Sequence, residues 1–200
     1  MKLYFSKGTC ALAIRITIHE LNIPCEFISV DLKAKKLANG DDYLKINPKG
    51  VVPVLQLDDG RLLTENIAIQ IYLAEKHQNV QLLPAKDDFN RYRVMEWLSY
   101  VSTELHKNCS PLFNPDLPKN IKEEIFISLL KKKLAYLEEY FKNNTYLVSD
   151  HYTLPDGYLY VVLTWVHHFH IELTPFEKLT DYYNRIKARP SVVQSLAEGG

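Results

Sequence analysis

Residues 47–66 read NPKGVVPVLQLDDGRLLTEN, and this stretch decides the fold of the first part of the chain. Two apolar runs, Val52–Leu57 and Arg61–Leu63, flank Asp58-Asp59-Gly60. An Asp-Gly pair between apolar runs is a strong short-range signal for a β-hairpin. After the hairpin, apolar residues recur at the spacing of a helix, at Ile67, Ile71 and Ala74. We therefore predict two antiparallel strands followed by a helix that opens near Thr64.

The residues before this stretch predict a strand, a helix and a second strand. Leu3–Phe5 is a short apolar run stopped by a turn, and the aliphatic-rich segment that ends at Leu21 favours a buried helix. Phe27–Leu32 alternates, which puts Ile28, Val30 and Leu32 on one face of a strand. The predicted order is βαβ, a variable connection, then ββα. This order is typical of an α/β thioredoxin-like domain.

The chain changes character after residue 78. Residues 79–86 contain Leu82-Leu83-Pro84-Ala85 and are interpreted as a linker with an apolar anchor. The residues beyond it show helical periodicity, and Thr153 with Asp156 is a capping signal before a nearly apolar helix. A final helix is expected within residues 175–189, interrupted by Pro190. We predict a thioredoxin-like domain over 1–78, a linker over 79–86 and an all-α helical bundle over 87–200.

Composition excludes several classes of protein. The chain has 200 residues, 46% of them hydrophobic, which suits one globular domain or two small ones. Its 24 basic and 24 acidic residues balance, so neither a nucleic acid nor another polyanion is an expected partner. No apolar run reaches the length of a membrane helix, and the first residues lack the apolar stretch of a signal peptide. We expect a cytoplasmic protein with no membrane partner, and its three cysteines suit a reducing compartment.

Cys10 is the first candidate for chemistry. The predicted strand, turn and helix place it beside the first turn of a helix, where backbone N–H groups and the helix dipole favour a thiolate. The alternative is that Cys10 is a small buried apolar residue, which is common for a free cysteine.

Two further segments are candidates for binding a peptide-like ligand. A proline that opens a strand, as Val52-Pro53 does, is a place where a cis peptide bond can turn the preceding backbone outward; an ordinary trans proline is the alternative. Thr64-Glu65-Asn66 opens a helix whose free N–H groups could receive a carboxylate, while Glu65 could receive an ammonium. A plain helix cap is the alternative there.

Polar residues interrupt the apolar pattern of the first helix after the linker, at spacings of three and four: Ser99, Ser102, Thr103, His106 and Lys107. Such a stripe is either a binding surface or an ordinary solvated face. Three nearby histidines, His167, His168 and His170, are not accompanied by cysteine or carboxylate ligands at a matching spacing, so we expect no metal site.

Taken in order, these motifs resemble glutathione S-transferases, in particular the bacterial beta class. The resemblance spans essentially the whole chain, and its most specific part is the run from Asn47-Pro48-Lys49-Gly50 through Pro53, then Asp59-Gly60 and Thr64-Glu65. The resemblance implies a homodimeric enzyme that conjugates glutathione to hydrophobic electrophiles. Glutathione would be a co-substrate, with no separate cofactor. A thiol-transfer or peroxidase side activity through Cys10 is also implied.

The resemblance assigns roles to individual residues. It implies that Val52 precedes a cis Pro53 and pairs with the cysteinyl part of glutathione, and that Cys10 and His106 are catalytic. Residues implied to bind glutathione are Cys10, Lys35, Val52, Pro53, Glu65, Asn66, Thr103, His106 and Lys107. Those implied to contribute to the apolar substrate site are Leu112, Phe113 and Trp165.

Several positions depart from the family pattern. Asn66 and Ser99 stand where other residues are usual, and Pro155 and Gly157 replace alanines after the capping signal. Thr9 lies near the position of the serine that some other classes use, so a hydroxyl competes with Cys10 for the role of activating the glutathione thiol. Two alternative functions therefore stay open: a glutaredoxin-like reductase of glutathione mixed disulfides, and a non-catalytic protein that binds apolar ligands.

Overall fold

The computed structural model describes residues 1–199 and divides into two compact units. The first comprises Met1–Asn79 together with the chain from Pro190 onward, and the second is Val80–Arg189. Within the described residues, no helix has the length and apolar character needed to cross a membrane.

The first unit is built on a five-stranded mixed sheet. Its strands are β1 (Lys2–Phe5), β2 (Glu26–Asp31), β3 (Lys36–Leu37), β4 (Val54–Gln56) and β5 (Leu62–Thr64). They lie in the order β3-β2-β1-β4-β5, with β1 parallel to β2 and antiparallel to β4. The hairpin β4–β5 pairs Leu55 with Leu63 across Asp58-Asp59-Gly60. This confirms the thioredoxin-like order predicted from the sequence.

Apolar residues cover both faces of the sheet. Two helices of this unit are α1 (Ala11–Glu20) and α2 (Asn66–Lys76). Leu3, Ile14, Leu55 and Ile69 belong to one core cluster, while Tyr4, Val30 and Tyr43 belong to the other. Ile28 and Leu32 pack against the second cluster, as the strand alternation predicted. The helix predicted from the spacing of Ile67, Ile71 and Ala74 is confirmed. Its buried apolar positions are Ile69, Leu73 and Ala74, while Ile67 and Ile71 are half-buried.

The last helix, α9 (Pro190–Ala197), packs against α1 of the first unit. The Arg15 guanidinium donates to the backbone oxygens of Glu198 (2.9 Å) and Ser195 (3.5 Å), which lie at the end of this helix. Residues 190–199 therefore pack with the first unit, whereas the sequence pattern places 87–200 in the helical domain. Pro190 opens a helix, a position where its missing N–H costs nothing.

The second unit is helical. Its α-helices are α3 (Asn90–Tyr100), α4 (Lys107–Cys109), α5 (Lys119–Ile121), α6 (Ser128–Phe141), α7 (Leu154–His168) and α8 (Glu177–Lys187). Between α3 and α4 the chain forms a π-helical segment, Val101–His106, and a second one, Lys122–Ile127, leads into α6. Leu82 and Leu83 of the predicted linker are buried, and Leu82 accepts a hydrogen bond from the Leu154 amide.

Helix α7 is buried over most of its length, from Leu154 to Leu163. Thr153 and Asp156 form the predicted capping box at its start. The Asp156 carboxylate accepts from the Thr153 amide and hydroxyl, from the Leu147 amide and from the Tyr182 hydroxyl. This carboxylate therefore connects α7 to α8 and to the loop that precedes α7.

Candidate functional site

Cys10 immediately precedes α1 and lies beside the loop before β4. Its Sγ is 3.8 Å from the carbonyl oxygen of Val52, so the thiol can donate a weak hydrogen bond to that carbonyl. The Val52-Pro53 peptide bond is cis, which confirms the outcome that the family resemblance implied. The thiol and the backbone of Val52 are thus neighbours within the first unit.

The Cys10 thiol is protonated at neutral pH. Burial raises its pKa from 9.0 to about 11, and the negative charge of Glu65 acts in the same direction. Hydrogen bonds from the Asn66 side chain and from the backbone lower this pKa by less. The contact with the Val52 carbonyl also favours the protonated form, because a carbonyl can only accept. The expectation that the start of the helix makes Cys10 a thiolate is therefore wrong: loss of solvation outweighs the favourable helix end.

The Thr9 hydroxyl is already used inside the first turn. It donates to the Ser6 carbonyl oxygen at 2.6 Å and accepts from the Ala11 amide at 3.4 Å. A hydroxyl in this arrangement has given its one proton to the backbone. The Thr9 hydroxyl and the Cys10 thiol thus each donate to a backbone carbonyl oxygen.

A chain of buried polar side chains lies behind Cys10. Asn66 Nδ2 donates to the Cys10 carbonyl oxygen at 2.7 Å, and Gln70 Nε2 donates to Asn66 Oδ1 at 2.6 Å. The Thr17 hydroxyl lies 3.3 Å from Gln70 Oε1. Asn66, Gln70 and Thr17 are all buried, at 7%, 0% and 2% exposure. The side chain of Asn66, expected to hold glutathione, is thus engaged inside the unit, and what it can offer a ligand is its backbone N–H.

Glu65 stands at the start of α2 in a backbone conformation that favours glycine, with φ of 71°. Its exposed carboxylate forms an ion pair with Lys49, and the Lys49 ammonium also donates to the Thr64 hydroxyl. The first N–H groups of a helix have no partner within it, so the start of α2 combines an acidic side chain with backbone donors. A strained residue at such a place is a reason to suspect a binding role.

Lys35 lies near the same loop. Its Nζ donates to the Gly50 carbonyl oxygen at 2.8 Å, two residues before Val52. The Gly50 backbone has φ of +64°, and a Cβ there would come within 3.3 Å of the Lys35 side chain. Glycine at this position therefore leaves room for the Lys35 side chain along the loop, and the Lys35 ammonium has two further N–H donors.

In the second unit, His106 closes the first π-helical segment and contacts two aromatic residues. Its Nδ1 is 2.6 Å from the Tyr158 hydroxyl, and its ring meets Trp165 edge to face at 4.8 Å. Burial lowers the pKa of His106 from 6.5 to about 4, and the Lys107 charge adds to this effect. His106 is therefore neutral at physiological pH and can act as a hydrogen-bonding group but not as a cation.

Phe113 and Trp165, two of the three residues expected to form an apolar site, are in contact. Their rings meet edge to face at 5.7 Å, and Phe113 also meets Phe169 at 4.6 Å. Phe113 is 47% exposed, whereas Leu112, the third residue, is buried. The accessible ring of Phe113 therefore lies next to Trp165, which also contacts His106, whereas Leu112 lies beneath the surface.

Thr103 and Lys107 are exposed on the same helical stretch, four residues apart. The Thr103 hydroxyl donates to the Ser99 carbonyl oxygen at 3.0 Å. His168, one of the three clustered histidines, stacks on Phe113. Among residues 1–199 no group of three or more histidine, cysteine or carboxylate side chains is placed to hold a metal ion.

Sequence reasoning missed three residues that touch the candidate groups: Gln70, Thr17 and Tyr158. A polar side chain four residues after Asn66 on a buried helix was a usable signal for Gln70. No local pattern indicated Tyr158, which reaches His106 from another helix. Sequence reasoning also missed a cavity of about 650 Å³ in the second unit, whose lining includes the aromatic residues Trp97, Tyr136 and Tyr140 of α3 and α6.

The fold and these groups define a class: a thioredoxin-like domain with one cysteine at its first helix and a cis-proline loop, joined to a helical domain. Residues 8–76 match the family model for the N-terminal domain of glutathione S-transferase, and residues 100–190 match the model for its C-terminal domain. The chain belongs to the glutathione S-transferase family.

Individual relatives are similar to this chain over its full length. Glutathione S-transferase GstA of Escherichia coli O157:H7 is 42% identical over 200 residues, covering 100% of this chain and 99% of that protein. A sphingomonad glutathione S-transferase solved in complex with glutathione is 35% identical with a TM-score of 0.95, covering 100% of this chain and 99% of the other. The same values hold for a beta-class enzyme from Sphingomonas chungbukensis, and the chain is similar to this bacterial class.

Proposed function

We propose that this protein is a cytoplasmic, homodimeric glutathione transferase that conjugates the glutathione thiolate to hydrophobic electrophiles. The observation that carries the proposal is the convergence, within the first unit, of the Cys10 thiol, the Val52 carbonyl and the start of α2. The sphingomonad relative, solved with glutathione, supports the choice of ligand.

The chemistry of glutathione fits these groups one by one. Its extended cysteinyl backbone would pair with the backbone of Val52 beside Pro53, which places its sulfur near Cys10. Its γ-glutamyl carboxylate would meet the free N–H groups at the start of α2, and its ammonium would take the place of Lys49 on Glu65. Lys35 would supply positive charge near the loop before Val52.

Cys10 would act in conjugation as a neutral hydrogen-bond donor. Two thiols that share a site do not both ionise, and the raised pKa of Cys10 leaves glutathione as the one that loses its proton. The Cys10 S–H would leave the Val52 carbonyl and donate to the glutathione sulfur. That sulfur forms the new bond to the electrophilic carbon with its own electron pair, the leaving group departs with the pair of the broken bond, and the thiol proton goes to water.

Thiol transfer through Cys10 is a slower side reaction in this proposal. The Cys10 thiolate would attack a glutathione mixed disulfide and release the other thiolate, and a second glutathione would then displace Cys10 and leave as glutathione disulfide. This route needs the ionised thiol, and burial makes that form scarce near neutral pH. The raised pKa thus argues against a dedicated glutaredoxin-like reductase.

The second unit would contribute the remaining residues. We assign Thr103, His106 and Lys107 to glutathione, with His106 acting as a neutral group because of its lowered pKa. We assign Phe113 and Trp165 to the apolar electrophile, since one ring is accessible and the other supports it. Leu112 would shape this region from beneath.

The test combines calorimetric binding of glutathione with turnover of an activated aryl halide and of a glutathione mixed disulfide. A Cys10→Ser variant keeps a donor and should retain conjugation within a few-fold but lose disulfide reduction. Cys10→Ala should lose about tenfold in conjugation, the worth of one hydrogen bond to a charged atom. Cys25→Ser, which changes a cysteine outside the site, is the matched control.

Each alternative has its own signature in these assays. Equal loss of both activities in Cys10→Ser would contradict the neutral-donor role. Binding of S-alkyl glutathione or of apolar ligands, without turnover of aryl halides, epoxides, mixed disulfides or hydroperoxides, would indicate a non-catalytic binding protein. Absence of any glutathione binding would overturn the proposal.

A further inference from the structure

We propose that Gln70 is a positioning residue for Cys10: from the core of the first unit it holds the Asn66 carboxamide with its NH2 group directed at Cys10, and Thr17 supports it from α1. This inference deepens the proposed function and rests on it for the importance of Cys10. Its central claim concerns the thiol itself and can be measured without glutathione.

The contacts define a directed chain of donors and acceptors. Gln70 Nε2 donates to Asn66 Oδ1 at 2.6 Å, and Asn66 Nδ2 donates to the Cys10 carbonyl oxygen at 2.7 Å. The carbonyl of Cys10 can only accept, so Asn66 must present its NH2 group there. With Oδ1 turned the other way, the group that meets it must be a donor, and Gln70 supplies one.

Burial makes this arrangement restrictive. Gln70 is 0% exposed and Asn66 is 7% exposed, so water offers little alternative to either amide. The Thr17 hydroxyl lies 3.0 Å from the Ala13 carbonyl oxygen and 3.3 Å from Gln70 Oε1, so its one proton is shared between two acceptors. A reversed Gln70 amide would set Oε1 against Asn66 Oδ1, two acceptors facing each other. The Cys10 carbonyl and the Gln70 amide therefore allow one orientation of Asn66.

That orientation matters for the chemistry of Cys10. A second N–H of the Asn66 amide is available toward the thiol, and the Asn66 hydrogen bond lowers the pKa of Cys10 against the larger effect of burial. Without Gln70, Asn66 Oδ1 would be buried with no donor, and the carboxamide would turn toward water or toward the reverse orientation. In either case Cys10 loses a donor that stabilises its thiolate.

The experiment measures the rate at which iodoacetamide alkylates Cys10 at pH 8.5, with the Cys10 peptide followed by mass spectrometry. Gln70→Met keeps the side-chain volume and removes both polar contacts, and we expect alkylation about tenfold slower, the effect of one hydrogen bond to a charged sulfur. Gln81→Met, the same change at an exposed glutamine, should leave the rate unchanged. Thermal unfolding monitored by circular dichroism shows whether each variant is folded.

A double-mutant cycle separates positioning from general damage. In an Asn66→Ala background, Gln70→Met should have little further effect, because the group it orients is gone. An equal slowing in both backgrounds, or an unchanged rate in folded Gln70→Met, would overturn the proposal. If Gln70→Met does not fold, Gln70→Leu replaces it, because leucine also removes the donor to Asn66 Oδ1, and an unchanged rate would again refute the role.

The same variants distinguish this inference from the proposed function. If alkylation slows as expected but conjugation of glutathione does not depend on Cys10, the positioning role stands and the catalytic role fails. If conjugation depends on Cys10 but alkylation ignores Gln70, the positioning role fails alone.

Discussion

Glu65 adopts a backbone conformation that costs a non-glycine residue free energy, with φ of 71°. Glu65→Gly should therefore raise the free energy of unfolding by about 1 kcal/mol, since relief of strain exceeds the entropy that glycine adds to the unfolded chain. The lost ion pair with Lys49 is exposed and contributes little. Glutathione affinity should fall at the same time. Chemical denaturation and calorimetry measure the two effects.

Glu65→Gln serves as the control for that experiment, because it keeps the strained backbone and removes only the charge. It should lose affinity without gaining stability. A Glu65→Gly variant less stable than the parent chain would show that the conformation is not strained.

His106 predicts a pH dependence of stability. Its folded pKa of about 4 lies below its ordinary value of 6.5, so between these values the unfolded chain binds the extra proton. Stability should consequently fall as the pH drops from 6.5 to 4, by on the order of 3 kcal/mol from this residue alone. His106→Phe keeps an aromatic ring against Trp165 and should remove that part of the pH dependence.

Urea denaturation of both proteins at a series of pH values tests this expectation. The difference between them should be constant above pH 6.5, where the imidazole is neutral in both states, and should change only below it. A difference that does not vary with pH between 4 and 7 would mean that His106 is solvated like an ordinary surface histidine.

At the scale of elements, the start of α7 depends on Asp156. Its buried carboxyl accepts from four donors, which oppose the rise in pKa that burial causes. Asp156→Asn replaces one acceptor oxygen by a donor that faces donors, and we expect a loss of about 3 kcal/mol in the free energy of unfolding. Thr153→Ser keeps both capping contacts and should lose less than about 1 kcal/mol. Equal stability of the two variants would contradict the capping account.

The elements of this chain differ in how well the sequence predicts them, for physical reasons. The hairpin and the capping box depend on residues that are neighbours in the chain, so their signals are local and both predictions are confirmed. The spacing of Ile67 and Ile71 predicts helix α2, but it does not show that the polar Asn66 and Gln70 lie on the buried side. Hydrogen bonds to Cys10 and Thr17 compensate their burial, and those partners lie 56 and 53 residues away in the chain.

At the scale of the whole molecule, the candidate site was predictable as a set of residue types but not as a chemical environment. The position of Cys10 beside a helix start follows from the local pattern. Its raised pKa does not, because desolvation depends on what packs around the thiol after folding. The same holds for His106, whose neighbour Tyr158 is 52 residues away in the chain.

The return of the C-terminal helix to the first unit is a property of the whole chain. Arg15 is buried, with its guanidinium 4.0 Å from the ring centre of Phe5 and 4.1 Å from that of Phe27, and its backbone acceptors lie at the end of α9. Among the described contacts of Arg15, no hydrogen-bond acceptor within residues 1–79 replaces those two carbonyls. The first unit should consequently depend on residues more than a hundred positions away.

Removal of residues 190–200 should therefore destabilise the first unit by at least about 3 kcal/mol, because a buried cation loses its hydrogen bonds and α1 loses its cover. Hydrogen exchange should accelerate in α1 and β1 and remain slow in α7.

Two adjacent valines of α9 form a matched pair: Val192 is 0% exposed and Val193 is 54% exposed. Val192→Ala should cost roughly 2 kcal/mol and accelerate exchange in α1, whereas Val193→Ala should change neither. Equal effects of the two substitutions, or unchanged exchange in α1 after truncation, would mean that the first unit is stable without this helix.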